Sequence, residues 1–75
     1  MTREEIKQAQ KDGKPMVWSD PLPIEGNDYT ISHIEDLSKY DEFNDEEMED
    51  IPLLIQYNDG GSEAEIFITE IKLKE

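Results

Sequence analysis

The sequence predicts a mainly-β domain: four or five short antiparallel strands curled into a small barrel, preceded by one short α-helix. Three observations carry that expectation. Short runs of β-branched and aromatic residues alternate with clusters of Pro, Gly, Asn and Asp, which is the pattern of strands and turns. One cluster, Asn58-Asp59-Gly60-Gly61, joins two of the best runs as a hairpin turn, because Asp-Gly and Gly-Gly supply the positive φ that tight turns between twisted strands require. The first dozen residues carry start and stop signals of a helix. Several strands in 75 residues cannot all be satisfied in an open flat sheet, so a curled barrel is the economical solution.

Taken in order, residues 2–12 read as the helix. Thr2 caps it, Glu5 stands three residues on as the reciprocal partner of a capping box, and Gly13 ends it. Ile6 and Ala9 form a thin i,i+3 apolar stripe, so this helix has to lie on something. Residues 15–73 are read as the barrel. Pro15-Met16-Val17-Trp18-Ser19 is its first strand, and Pro21 and Pro23 then forbid ladder pairing. Residues 21–28 are therefore a loop, with Leu22 and Ile24 folded over the core edge and Glu25-Gly26-Asn27-Asp28 as a turn. Residues 29–34 are the second strand. Tyr29 and Ile31 share one parity while Ile34 falls on the other, so burial of all three requires a bulge near His33.

Residues 38–50 follow, expected as an acidic loop with seven acids and one lysine. Asp45-Glu46-Glu47-Met48 has the composition for a helical turn, but the segment is read as loop. Residues 51–57 and 62–68 are the third and fourth strands on either side of the hairpin turn. In the fourth, Ala64, Ile66 and Ile68 share one face and Glu63, Glu65 and Phe67 the other. A parity switch after Thr69 points to a kink and a last short strand through Ile71 and Leu73.

Composition narrows the function. Twenty acidic residues against seven basic give a net charge of −13. Nucleic-acid binding needs a basic face to neutralise phosphates, and an anionic membrane surface needs the same, so neither is an expected partner. No cysteine is present, which removes disulfides and thiolate metal sites and suits a reducing, cytoplasmic setting. The opening residues lack the apolar run of a signal peptide, and no apolar stretch approaches the roughly 20 residues that span a bilayer. The charge is uneven: residues 1–14 are net +1, whereas residues 35–50 hold nine acids against one lysine.

Chemistry-bearing constellations are sparse. His33 is the only histidine, and without a second His or a Cys nothing completes a metal or catalytic set around it. The acidic stretch lacks the alternating oxygen ligands and central glycine of an EF-hand loop. Glu63 and Glu65 point the same way, about 7 Å apart, but a hairpin offers no cleft to desolvate them for acid–base work. No enzyme activity, cofactor or metal is expected.

The hairpin strands, residues 53–68 through Tyr57-Asn58-Asp59-Gly60-Gly61-Ser62, followed by Thr69-Glu70-Ile71 as a short 3₁₀ turn before the last strand, resemble the small SH3-like barrels in the broad sense that includes Tudor-type and KOW-type domains. The likeness covers roughly residues 15–73 and is architectural; the Ala-Leu-Tyr-Asp-Tyr signature of peptide-binding SH3 domains is absent. The chain's composition also resembles that of small accessory proteins of bacteria or their phages. For Tudor-like barrels the resemblance implies an aromatic cage for methylated lysine or arginine, for which Trp18, Tyr29, Tyr57 and Phe67 supply the residue types.

The function expected is that of a non-enzymatic, acidic protein-interaction module whose partner has a basic surface. The contact residues expected are Trp18, beside the Asp20-Pro21 loop, and the acidic stretch with its embedded rings: Tyr40, Asp41, Glu42, Phe43, Asp45, Glu46 and Glu47. A DNA-mimic inhibitor of a nucleic-acid-binding protein is the alternative, and a methyl-lysine or methyl-arginine reader the third. Arg3, Lys7, Lys11 and Lys14 are expected to hold the helix against the acidic body.

Overall fold

The computed structural model describes residues 1–20 and 28–74. Its elements are α1 (Arg3–Lys11), β1 (Met16–Ser19), β2 (Asp28–Ile34), a 3₁₀ turn (Leu37–Tyr40), α2 (Asp45–Met48), β3 (Leu53–Tyr57), β4 (Ser62–Ile66), a second 3₁₀ turn (Ile68–Glu70) and β5 (Ile71–Leu73). The expected placement of Leu22 and Ile24 and the turn at 25–28 fall largely on residues outside those described. The strands form one antiparallel sheet in the order β4-β3-β2-β1-β5, an open sheet in which β4 and β5 are the edges.

Strand β2 organises the sheet. Its first half pairs with β1, Trp18 opposite Tyr29, and its second half pairs with β3, Ile34 opposite Ile55. Between them the register shifts: Ile31 faces Tyr57 and His33 faces Gln56, leaving Ser32 as the extra residue. This bulge returns Ile34 to the core side, where it is buried, as the parity of the sequence requires. The hairpin turn forms as expected, with φ of 53° at Asn58, 55° at Asp59 and 86° at Gly60. The positive-φ run begins one residue earlier than the Asp-Gly signal suggests, since Asn and Asp tolerate the left-handed region.

Helix α1 has the Thr2–Glu5 capping box, and Gly13 follows it at φ 69°. Ile6 is fully buried and Ala9 nearly so, which lays the stripe on the core with Met16, Ile34, Leu53, Ile55, Ile66, Ile68 and Ile71. The Met1 amino group donates to the Ile68 and Ile71 carbonyls at 2.9 and 3.1 Å, tying the start of α1 to the turn before β5. Leu73, an apolar residue of the last strand, is 42% exposed because it stands at the end of a three-residue edge strand.

The acidic stretch departs from a simple loop. It contains the end of one 3₁₀ turn and all of α2, and it sends Met48 fully into the core while Leu37 enters just ahead of it. Asn44 accepts from the Glu47 N–H at 2.8 Å and Glu47 accepts from the Asn44 N–H at 3.0 Å, a second capping box. Four residues cannot sustain a helix by propensity, so the cap and the buried Met48 hold this turn.

Candidate functional site

The expected contact residues divide into two places. Tyr40, Asp41, Glu42, Phe43, Asp45, Glu46 and Glu47 form a continuous segment beside α1, whereas Trp18 lies on β1 in an aromatic cluster of its own.

Within the segment, rings and carboxylates have opposite roles. Tyr40 and Phe43 are half-buried, pack against the core and contact each other at 6.3 Å between ring centroids. They are the feet of the segment, and this accounts for apolar residues inside a charge run. Asp41, Glu42, Asp45, Glu46, Glu47, Glu49 and Asp50 are all exposed. Asp41 pairs with Lys7 of α1 at 2.6 Å and Glu47 serves the capping box. The remaining five carboxylates have no ion-pair or hydrogen-bond partner among the described residues.

Two polar contacts, one buried and one half-buried, neither legible in the sequence as such, fix this frame. Arg3 is 9% exposed, and its Nη1 donates to the carbonyls of Tyr40 and Phe43 at 2.5 and 2.6 Å, one cation satisfying two carbonyls in consecutive turns. Its Nε lies 3.5 Å from the Glu4 carboxylate, an ion-pair contact that does not have hydrogen-bond geometry. Arg3 falls on the same i,i+3 stripe as Ile6 and Ala9, the one signal that could have revealed it. The other contact is Glu35. It accepts from the Leu54 N–H at 2.5 Å and the Tyr40 hydroxyl at 3.0 Å and pairs with Lys39, while its own N–H donates to the Leu54 carbonyl at 3.1 Å. Burial pushes the Glu35 carboxyl up, but the Leu54 N–H, Lys39 and the Tyr40 hydroxyl outweigh it and hold the group below its usual range. Burial, followed by the Glu35 carboxylate, raises the Tyr40 hydroxyl, so Tyr40 stays neutral and donating. Nothing local marks Glu35, because its role depends on the register of β3.

Of the four cations expected to dock α1, Arg3 meets carbonyls and Lys7 meets a carboxylate. Lys11 and Lys14 are exposed. Apolar burial and one buried guanidinium therefore do most of the docking.

In the aromatic cluster, the rings of Trp18, Tyr29 and Tyr57 lie 5.0 to 5.5 Å apart, half-buried at one end of the core face. Rings at these separations touch one another. Phe67 is elsewhere, 40% exposed on the opposite face of the hairpin. His33 is exposed on β2 beside the bulge, and Glu63 and Glu65 are exposed on β4. Among the described residues no group of three or more His, Asp or Glu side chains is arranged to hold a metal ion, and no helix is long and apolar enough to cross a membrane.

The sequence matches no family model, and no curated protein or solved structure matches it.

Proposed function

We propose that the protein is a non-enzymatic interaction module that presents the carboxylates of residues 41–50 to a basic surface on a partner protein. The observation that carries this reading is the frame under those acids. Five carboxylates without partners (Glu42, Asp45, Glu46, Glu49 and Asp50) stand on turns fixed by Arg3, by the Asn44–Glu47 capping box and by buried Met48. A stretch serving only as a solvated tether needs no such anchorage, because ordering backbone costs about 1–2 kcal/mol per residue. Holding like charges close together raises the local potential and steers a cationic partner, which supports a recognition role.

The architecture we infer is an SH3-like barrel. It is supported by the meander of β1 to β4, by β5 returning to pair with β1, by β2 serving two partners across a bulge, and by the 3₁₀ turn before β5. The methyl-reader alternative would require the contacting rings of Trp18, Tyr29 and Tyr57 to separate.

The test compares the wild-type chain with a variant neutralised at the five free acids (Glu42→Gln, Asp45→Asn, Glu46→Gln, Glu49→Gln, Asp50→Asn) as baits in native extract. A partner retained by wild type at low salt, released at high salt and missed by the variant supports the reading. Recovery of no partner at low salt, or equal recovery by the variant, overturns it.

A further inference from the structure

We propose that the free edge of β4 accepts an added strand from the partner, namely an extended segment in which basic and apolar residues alternate. This inference rests on the reading of the protein as a binder of basic partners and adds a second contact, at the β4 edge, to the acids of residues 41–50.

The edge is open: among the described residues β4 pairs with β3 alone, leaving one side of its backbone without a ladder. Unpaired strand edges recruit strands through main-chain hydrogen bonds, with side-chain alternation setting specificity. Ser62–Ile66 contains no proline and no bulge, and Phe67 continues it in extended conformation at φ −103° and ψ 152°. The outward face along this line is Glu63, Glu65 and Phe67, all exposed. Across the ladder Glu63 faces Gln56 and Glu65 faces Leu54, so neither carboxylate has a cation opposite it. Leu54 is 41% exposed and Phe67 40%, and the two are diagonal neighbours on that face.

This pattern specifies the occupant. Two uncompensated carboxylates about 7 Å apart call for Lys or Arg at two-residue spacing on the added strand. The intervening residues of that strand fall on the side of Ala64 and Ile66, where apolar side chains extend the core face. A residue two positions beyond the basic pair meets Phe67. A second copy of the chain fits poorly, since its own β4 would set Glu against Glu and each molecule carries −13. The other edge, β5, has its lysines engaged: Lys72 with Asp28 at 3.2 Å and Lys74 with the Thr30 hydroxyl at 3.2 Å.

The experiment titrates the ¹⁵N-labelled full chain with a capped peptide alternating lysine and valine, following amide shifts and amide hydrogen exchange. Expected are shifts centred on residues 62–67 and slowed exchange there. A peptide N-methylated at every amide, which keeps its charge but offers no main-chain donor on either edge, should bind markedly more weakly. The Glu63→Lys/Glu65→Lys variant, whose fold is checked by its spectrum, should lose about tenfold in affinity at low salt. Shifts centred on residues 41–50, or equal binding of the N-methylated peptide, would overturn the edge proposal and leave the acidic-surface reading standing. No shift anywhere would count against both. Concentration-dependent growth in mass without peptide, abolished by the same variant, would assign the edge to a second copy and overturn the proposal.

Discussion

Glu35 and Arg3 do at the residue scale what no local pattern announces. Glu35 links the turn at 37–40 to β3 through an N–H, a hydroxyl and an ammonium, and its side chain is 17% exposed. Glu35→Ala should cost about 1–3 kcal/mol in urea unfolding at neutral pH, the scale for losing charged hydrogen bonds that leave a donor unpaired. Because the folded carboxyl titrates below its unfolded value, its stabilisation is fully present above the ordinary carboxylate range and is lost as pH falls through the lowered folded value. Glu35→Gln should therefore flatten that part of the acid-side stability profile. Arg3→Met strands the Tyr40 and Phe43 carbonyls and should likewise cost about 1–3 kcal/mol, with the loss visible first as faster amide exchange in residues 41–50.

At the scale of elements, apolar burial and ion pairing both act in docking α1, and burial outweighs charge. Ile6 is fully buried, so Ile6→Ala should cost about 2–5 kcal/mol, enough to threaten a domain this small. Lys7–Asp41 is a half-exposed pair, so Lys7→Ala should cost under about 1 kcal/mol. Thermal melts of the two variants check the ranking; a larger loss from Lys7→Ala would reverse it. The same contrast explains what the sequence made legible. The α1 capping box, the hairpin turn and the β2 bulge were readable because each follows from nearby residues or strand parity. Residues 45–48 carry no local signal strong enough for a helix, since the turn depends on Met48 finding the core. The rings of Tyr40 and Phe43 stand out within the charge run, but their inward direction follows from tertiary contacts. Trp18 is expected as a contact residue beside the Asp20-Pro21 loop; it is half-buried and has two ring neighbours, Tyr29 from across the β1–β2 ladder and Tyr57 from β3.

For the whole molecule, −13 is a cost as well as a signal. The radius of gyration is 11.8 Å, comparable to the Debye length of about 10 Å at 0.1 M salt, so screening reaches across the molecule. Moderate salt should therefore raise the urea midpoint by relieving self-repulsion, while it weakens any basic partner's binding. A midpoint that falls with salt would mean that attractive pairs such as Lys7–Asp41 dominate. The central claim is that the acids of residues 41–50 stand on a folded frame, and residue-resolved amide hydrogen exchange tests it most directly. The amides of Phe43, Glu47, Met48, Asp50 and Ile51, each donating within the segment, should exchange at least about tenfold more slowly than in an unfolded chain. Exchange at unfolded-chain rates throughout residues 41–50, with the sheet amides still protected, would contradict the account.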